Sequence, residues 1–359
     1  ITATNGTNTI DAGTEADVII LNGGDNTVLA GSGNDSITAS GGTNTIATDS
    51  GNNVVVLNAG TNSVTAGASA DSITASGGTN TINAGEGDNT ITLNNGTNSV
   101  VAGIGADTIT ASSGTNTIEA GNDADVISLS GGNNTVFGGS GTDSITASDG
   151  TNVIDAGTED DTITASGGTN TITASDGNDT ITLNNGTNSV VAGTGADTIT
   201  ASSGTNTIEA GNDADVISLS GGNNTVYGGS GTDSITASNG TNVIDAGTEN
   251  DTIIASNGNN TIDAGAGNDT ITLSNGTNSL VAGTGADTIT ATNGTNTVQA
   301  GEGADVINLS GGNNTVYGAS GTDSITASNG TNVIDAGTEN DTITATSGNN
   351  TITAGEGND

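Results

Sequence analysis

The sequence predicts an all-β protein: a parallel β-solenoid of the two-sided β-roll type, with 18 residues per coil and about 20 coils. Two observations predict this fold. A large aliphatic residue recurs at every ninth position, from Ile10, Ile19 and Val28 to Ile352. Two positions before each aliphatic stands Asn or Asp, and the two residue types alternate with few exceptions, so the full repeat consists of two unlike halves.

Each half-coil carries the pattern of one strand followed by one turn. In residues 103–120, Ile109 and Ala111 alternate with polar residues, which is the period of two for a strand with one buried face. Ile118 and Ala120 repeat the pattern in the second half. Gly-rich runs with Asn or Asp separate the halves and favour turns. Two strands and two turns per coil indicate a flattened coil, because a triangular coil needs about three such units.

We predict one continuous repeat array over residues 1–359, with no linker and no domain boundary. The array begins and ends within a repeat, and we therefore expect a stretch of a longer or processed protein. A second period lies over the first, since three blocks of 90 residues are near-copies of one another: 85–174, 175–264 and 265–354.

The composition excludes several classes of partner. The chain has no Lys, Arg or His against 40 Asp and Glu residues, for a formal net charge of −40. No side chain can neutralise phosphates, so neither nucleic acid nor an anionic membrane surface is an expected partner. No apolar run approaches the length of a membrane span, so no membrane insertion is expected. The many Asn, Asp, Thr and Gly residues and the lack of basic ones favour a secreted, extracellular or cell-surface location.

The two polar series have opposite electrostatic consequences once coils stack about 4.8 Å apart. The Asn series runs unbroken from Asn8 to Asn350, and stacked amides can each donate to the next. Stacked Asp carboxylates at that spacing repel each other by roughly 3 kcal/mol per pair at an effective dielectric of about 20. Either hydrogen bonds and solvent compensate this repulsion in a metal-free ladder, or cations lie between the coils.

The Asp half of the repeat resembles a known family. Residues 31–38 read Gly-Ser-Gly-Asn-Asp-Ser-Ile-Thr, and residues 193–200 and 265–272 are similar. These segments resemble the RTX, or hemolysin-type, calcium-binding nonapeptide, G-G-x-G-x-D-x-U-x, where U is a large aliphatic. The resemblance extends over the whole chain but is complete only in alternate units. It implies a β-roll in which turn carbonyls and Asp side chains of adjacent coils enclose Ca²⁺, with folding coupled to the ion.

The resemblance implies a set of candidate metal ligands on the Asp side. All-oxygen ligands in flexible turns suit calcium. The candidates are Asp35, Asp107, Asp125, Asp143, Asp161, Asp179, Asp197, Asp215, Asp233, Asp251, Asp269, Asp287, Asp305, Asp323 and Asp341.

The chain departs from the family pattern in three ways. The first Gly is usually Ala or Leu, and the second turn of each coil carries Asn instead of the charged ligand. In several turns an acidic residue replaces the inner Gly, and additional ligands and merely exposed charges remain open as interpretations. These residues are Asp123, Glu159, Asp213, Glu249 and Glu339.

The outward positions of the strands suggest two further surfaces. The first strand of each coil presents a Thr-x-Thr pattern that is similar to ice-binding faces, although Thr is also a common exposed strand residue. The candidate ice face comprises Thr108, Thr110, Thr198, Thr200, Thr288 and Thr290. The second strand carries the three aromatic residues of the chain five coils apart, Phe137, Tyr227 and Tyr317, as candidates for a lateral contact.

These observations predict an extracellular structural repeat protein, not an enzyme. It would form a rod or filament such as a surface fibre, a sheath or S-layer element, or an adhesin stalk, stabilised by Ca²⁺ along the Asp edge. Expected partners are further copies of the chain, end to end or laterally, and surface polysaccharide. Two alternatives remain open: an ice-binding solenoid, and the repeat region of a secreted RTX enzyme or toxin whose active domain lies outside this chain.

Overall fold

The computed structural model describes residues 1–359. The chain consists of two compact units, Ile1–Thr180 and Ile181–Asp359, each of which is described by itself. All regular structure is β, and nothing helical has the length and apolarity of a membrane span. The predicted all-β parallel solenoid is therefore confirmed. That the two units form one continuous array stays a prediction from the sequence.

Each coil contributes one short strand to a first sheet, sheet A, and one longer strand to a second sheet, sheet B. In the first unit, the strands of sheet A are β1 (Thr2–Ala3), β3 (Val18–Leu21), β5 (Ser36–Ala39), β7 (Val54–Leu57), β9 (Ser72–Ala75), β11 (Thr90–Leu93), β13 (Thr108–Ala111), β15 (Val126–Leu129), β17 (Ser144–Ala147) and β19 (Thr162–Ala165). The strands of sheet B are β2 (Thr7–Asp11), β4 (Asp25–Leu29), β6 (Thr43–Ala47), β8 (Thr61–Ala68), β10 (Thr79–Glu86), β12 (Thr97–Ile104), β14 (Thr115–Asn122), β16 (Asn133–Ser140), β18 (Thr151–Thr158) and β20 (Thr169–Asp176).

The remaining strands follow the same alternation. Those of sheet A are β21 (Thr180–Leu183), β23 (Thr198–Ala201), β25 (Val216–Leu219), β27 (Ser234–Ala237), β29 (Thr252–Ala255), β31 (Thr270–Leu273), β33 (Thr288–Ala291), β35 (Val306–Leu309), β37 (Ser324–Ala327) and β39 (Thr342–Ala345). Those of sheet B are β22 (Thr187–Thr194), β24 (Thr205–Asn212), β26 (Asn223–Ser230), β28 (Thr241–Thr248), β30 (Asn259–Asp263), β32 (Thr277–Thr284), β34 (Thr295–Glu302), β36 (Asn313–Ser320), β38 (Thr331–Asp335) and β40 (Asn349–Thr353).

Neighbouring strands within each unit are parallel and shifted by one 18-residue repeat. Ile109 of β13 lies beside Ile127 of β15, and Asn116 of β14 lies beside Asn134 of β16. This register places identical or similar side chains above one another in columns. The alternation read from the sequence is present, because Ile109 and Ile118 are both fully buried between the sheets.

The strands of sheet B extend further in both directions than the sequence pattern indicates. Strand β14 begins at Thr115, so Asn116 is the second residue of a strand and lies in the interior at 1% exposure. The strand then continues through Gly121, at a φ of 122°, to Asn122. The interior of each coil thus contains a column of Asn side chains from sheet B, in addition to the buried Ile, Val, Leu and Ala side chains of both sheets.

Candidate metal centre

The Asp series forms a row of buried carboxyl groups at the corner of the coil, one residue before each strand of sheet A. We call this series, together with Asn53 and Asn89 that interrupt it, the aspartate row. Its members from Asp35 to Asp323 are no more than 2% exposed, which is unusual for Asp. A buried carboxyl group requires compensation by hydrogen bonds, a proton or a cation.

One oxygen of each carboxyl group is occupied by the neighbouring coil. The amide N–H of Asp107 donates to Oδ1 of Asp125 at 2.7 Å, and that of Asp125 donates to Oδ1 of Asp143 at 2.8 Å. The same contact recurs in the second unit, for example between Asp251 N–H and Oδ1 of Asp269 at 2.7 Å. This chain of contacts fixes the orientation of every side chain in the row.

In most members of the row, the second oxygen, Oδ2, has no hydrogen-bond donor. A buried acceptor without a donor costs about 1–3 kcal/mol, and more when it carries charge. Such unpartnered Oδ2 atoms are found in Asp35, Asp71, Asp107, Asp125, Asp143, Asp161, Asp215, Asp233, Asp251, Asp269, Asp287, Asp305, Asp323 and Asp341.

The two Asn residues of the row show which hydrogen bond a side-chain donor makes at this position. Asn53 and Asn89 occupy the same position, and their Oδ1 atoms accept from the preceding coil as those of the Asp residues do. Their Nδ2 atoms donate to turn carbonyls, Gly51 O at 2.7 Å and Gly87 O at 2.8 Å. In an Asp at this position, a second acceptor, Oδ2, replaces the donor, and the bond to the turn carbonyl cannot form. A cation or a proton would compensate the missing donor.

The pKa values report the same conflict. Burial raises the pKa of Asp107 to about 6 and that of Asp125 to about 7, although hydrogen bonds from the preceding coil lower both. The charges of Asp143 and Asp107 raise the pKa of Asp125 further. Burial likewise raises the pKa of Asp215 and of Asp251 to about 7. The buried environment of the row therefore favours the protonated form of these carboxyl groups up to a higher pH than in water.

The donor set suits a hard cation. Within neither unit do three or more acidic side chains converge to form a metal site by themselves. Any bound ion must therefore combine the Oδ2 atoms with turn carbonyl oxygens. Calcium accepts such mixtures, because it takes six to eight carboxylate, carbonyl and water oxygens in flexible geometry. The unpartnered Oδ2 atoms and the turn carbonyl oxygens are of the ligand types that calcium binds.

The acidic residues that replace the inner Gly of a turn have a different role in the structure. The exposed carboxylate of Glu159 accepts hydrogen bonds from Gly141 N–H of the preceding coil, at 2.8 Å, and from the Thr158 hydroxyl. These bonds lower its pKa. Glu249 and Glu339 make the same contacts with Gly231 N–H and Gly321 N–H. The sequence left two interpretations open, additional ligands and exposed charges. These contacts indicate a third, in which the carboxylate of each Glu connects adjacent turns by hydrogen bonds.

The Asn series of sheet B has no unsatisfied amide of this kind. Asn116 Nδ2 donates to Oδ1 of Asn134 at 2.7 Å and to Ser113 O at 3.3 Å. The chain of amides runs through each unit with Nδ2–Oδ1 distances of 2.7–2.8 Å, as between Asn224 and Asn242 in the second unit. These side chains satisfy one another, so no cation is needed beside them.

The structure places the predicted ligands in the aspartate row and adds one residue to them. Asp71 accepts from Asn53 N–H at 2.7 Å and has the same unpartnered Oδ2, but its turn reads Gly-Ala-Ser-Ala and lacks the second Gly of the motif. Its place in the nine-residue series is the signal that identifies it. The turn carbonyls have no signature in the sequence. Assignment of particular residues to an ion stays a prediction.

The outer surfaces lie where the alternation places them. Thr108 and Thr198 on sheet A are exposed, whereas Thr110 and Thr200 are half-buried. Sheet B presents a second Thr array, at the first and third positions of its strands, which the turn-like sequence Gly-Thr-Asn concealed. The three aromatic residues of the chain lie on sheet B at 43–45% exposure: Phe137, Tyr227 and Tyr317.

Comparison with protein families decides the assignment. The model of the RTX calcium-binding nonapeptide repeat matches the chain in overlapping segments that together extend from residue 2 to residue 359. The chain belongs to this RTX repeat family. RTX repeats bind calcium, and calcium is therefore the cofactor of this chain, in agreement with the oxygen donors of the aspartate row.

Two further comparisons, with curated proteins and with solved structures, gave one weak similarity. No curated protein matches it at a significant level. Among solved structures, it is similar to a hyperactive, Ca²⁺-dependent, β-helical antifreeze protein from an Antarctic bacterium, with 21% identity over 90% of this chain and 83% of that chain, at a TM-score of 0.29. That similarity is too weak to support an inference about function.

Proposed function

We propose that this RTX β-roll is a structural region of an extracellular protein, which calcium folds and stiffens. The observation that carries the proposal is the aspartate row, with its buried Oδ2 atoms that have no hydrogen-bond donor. Without an ion, most coils of the row contain an uncompensated acceptor. With calcium between these oxygens, binding free energy becomes folding free energy, as in other metal-dependent small folds.

Extracellular conditions suit such a site. Extracellular calcium modules bind with dissociation constants of about 10⁻⁴–10⁻³ M, a range that flexible oxygen sites reach readily. The chain carries a net charge of −40, and self-repulsion of this size opposes folding where the ion is scarce. We infer that the chain remains unfolded at low calcium and folds where calcium is abundant.

Uniformity supports a structural role over catalysis. The buried aliphatic positions and the Asn column recur in every coil, and repeat solenoids are typical of structural and binding domains. The chain has no His, Cys, Lys or Arg, so acid–base chemistry is left to carboxyl groups alone. A rod or filament, such as a surface fibre, a sheath element or an adhesin stalk, uses repetition directly.

Self-association and polysaccharide binding belong to the same proposal. A sheet edge exposes unpaired backbone groups and pairs readily with another copy. Electron microscopy of the calcium-loaded protein should therefore show end-to-end or lateral assemblies. Fields that contain only dispersed single particles would contradict this part of the proposal.

A calcium titration tests the folding step. Chelator-treated protein should show a disordered far-ultraviolet circular dichroism spectrum and gain β-signal cooperatively as Ca²⁺ is added. Mg²⁺ at the same concentration serves as the control, because its preference for octahedral hydration suits carbonyl-rich sites poorly. A full β-spectrum in chelator that calcium leaves unchanged would overturn the proposal.

Ice binding is a second candidate, favoured by the Thr arrays. On sheet B of the second unit, a shallow groove of about 220 Å³ is lined solely by Thr, Asn and Ser, including Thr241, Thr261 and Thr295. Thermal hysteresis of the calcium-loaded protein measures this activity. Loss on replacing Thr198 and Thr200 would assign it to sheet A, and loss on replacing Thr205 and Thr207 would assign it to sheet B.

A further inference from the structure

The aromatic residues of sheet B lie in an acidic setting that neither calcium binding nor folding uses. Tyr227 is 45% exposed. Glu209 of the preceding coil and Asp245 of the following coil lie beside it in register. Neighbouring strands are about 4.8 Å apart, so a carboxylate is attached on each side of the ring. The chain contains no basic residue to pair with them.

The other two aromatic positions have similar neighbours, but Tyr317 differs from Tyr227 in one flanking residue and in the floor of the recess, where Ala319 stands in place of Gly229. Phe137 lies between Glu119 and Asp155. Tyr317 lies between Gln299 and Asp335, so that one of its two neighbours is neutral. The chain thus contains its own comparison of one flanking carboxylate with two.

A recess lies beside the ring of Tyr227. It has a volume of about 330 Å³ and is lined by Glu209, Gly211, Tyr227, Gly228 and Gly229. Its floor consists of glycine. A Cβ on Gly229 would lie 2.1 Å from Gly211 O, so a side chain there is strained. These glycines place no side chain in the recess, and the Tyr227 ring is accessible from it.

We propose that the Tyr227 recess, with its equivalents at Phe137 and Tyr317, binds the guanidinium or ammonium group of a basic segment of a partner protein. The face of an aromatic ring attracts such cations, and guanidinium groups most often occupy this position. The flanking carboxylates add charge complementarity, and the acidic surface raises the local concentration of cationic partners. A neutral saccharide gains from the ring but not from the charge.

Two tyrosine positions in the second unit extend the argument to a longer partner. Tyr227 and Tyr317 are five coils apart, which corresponds to about 24 Å along the sheet. A basic segment that reaches both recesses binds more tightly than one that reaches either alone, because the second contact is intramolecular.

Fluorine NMR tests the proposal site by site. The chain has two Tyr residues, so incorporation of 3-fluorotyrosine gives one resonance for each recess. The full chain at saturating calcium and low salt is titrated with a short Arg-Gly repeat peptide, and separately with the same peptide carrying citrulline for arginine. Citrulline keeps the shape of arginine and removes its charge. Cellobiose is the third probe.

The expected result is a saturable shift with the arginine peptide alone. Binding at Tyr227 should be roughly two- to fivefold tighter than at Tyr317, the range expected for one exposed charge pair. Since Ala319 also distinguishes the two sites, each variant is compared with its own parent site: Glu209→Gln should weaken binding at Tyr227 and Gln299→Glu should tighten binding at Tyr317, each by about this factor. Both variants alter exposed positions, and circular dichroism verifies their folding.

Three results would overturn the proposal. Equal shifts with the citrulline peptide would show that charge is not recognised. A saturable shift with cellobiose alone would identify a saccharide site. No saturable shift with any probe would show that the recess binds none of these classes.

Discussion

The amide N–H of Asp107 donates to Oδ1 of Asp125 at 2.7 Å and leaves Oδ2 of Asp125 buried without a donor. The hydrogen bond to Oδ1 thus fixes the orientation of the carboxyl group and leaves Oδ2 without a hydrogen-bond donor. The chain resolves this deficit twice without a metal, at Asn53 and Asn89, where an amide N–H replaces Oδ2. Calcium dependence is therefore a property of single residues in the row, which substitution can change one coil at a time.

We expect the triple variant Asp107→Asn, Asp125→Asn, Asp143→Asn to be more stable than the native chain in chelator and to bind less calcium. Each amide can make the bond to a turn carbonyl that Asn53 makes. Removal of an unsatisfied buried acceptor should contribute about 1–3 kcal/mol per coil. Thermal melts in chelator, with trimethylamine N-oxide added to populate the folded state of both chains, and equilibrium dialysis with calcium measure the two effects.

The matched control removes three charges from exposed positions: Asp11→Asn, Glu119→Gln and Asp263→Asn. This control tests whether a lower net charge alone accounts for the gain. An equal increase in melting temperature in the control would show that general repulsion, rather than the aspartate row, limits stability.

In chelator, the free energy of unfolding should decrease as pH rises from about 4 to about 7. An unfolded Asp has a pKa of about 3.9. Burial raises the pKa of Asp107, Asp143 and Asp287 to about 6 and that of Asp125 and Asp161 to about 7. Between these values the folded state binds more protons than the unfolded state, so stability is present below pH 4 and is lost as pH rises through 7.

Melting temperatures across this pH range, in chelator with trimethylamine N-oxide to populate the folded state, test the sign. The melting temperature should fall by several degrees or more towards neutral pH. At saturating calcium the trend should reverse, because protons compete with the ion for the same oxygens. A chelator profile that rises with pH would contradict the environment described for the row.

The variant Asn116→Ala should be strongly destabilised, with or without calcium. It removes the shorter of the two hydrogen bonds of Asn98 Nδ2, which keeps Asn95 O, and deprives Asn134 Oδ1 of its donor; both groups are buried. Each such loss costs about 1–3 kcal/mol. Urea melts compare this variant with Thr117→Ala, which changes the exposed neighbour; similar midpoints for the two would show that the amide column contributes little.

Gly228→Ala should destabilise the coil even though Ala stands at the equivalent position in most other coils. Its Cβ would meet Ala246 O at 2.3 Å and Oδ2 of Asp233 at 2.5 Å. The expected loss is about 1–3 kcal/mol, typical of overpacking. Gly41→Ala is the control, because a Cβ there meets no atom within 4 Å. Calcium-saturated melts should separate the two variants clearly.

The hydrophobic alternation was sufficient to predict the strands and their buried faces. Ile109 and Ala111 followed the period of two, and the 18-residue repeat determined the parallel register. The start of the sheet B strands was not predictable in the same way. Thr115 and Asn116 follow a Gly, and such runs normally indicate a turn. Only the stacking of Asn116 on Asn134 makes a strand of this segment.

The aspartate row was predictable in its members but not in its chemistry. The sequence identified Asp125 through its spacing. It could not show that a backbone N–H occupies Oδ1, or that Gly51 O and its equivalents face the other end of the side chain, because backbone groups have no residue type. The same reason explains why the bond from Glu159 to Gly141 N–H was open to other interpretations.

The 18-residue register has a consequence for how such a chain changes length. Ile109 lies beside Ile127, and the same pairing of aliphatic residues recurs between other neighbouring coils. One face of a coil is therefore complementary to the opposite face of many others. Removing or inserting whole coils by recombination between the near-identical 90-residue blocks preserves every interface. A frame error of a single residue, by contrast, moves the aliphatic side chains outward. Length is thus a property that whole-coil insertion or deletion can change while the register is kept.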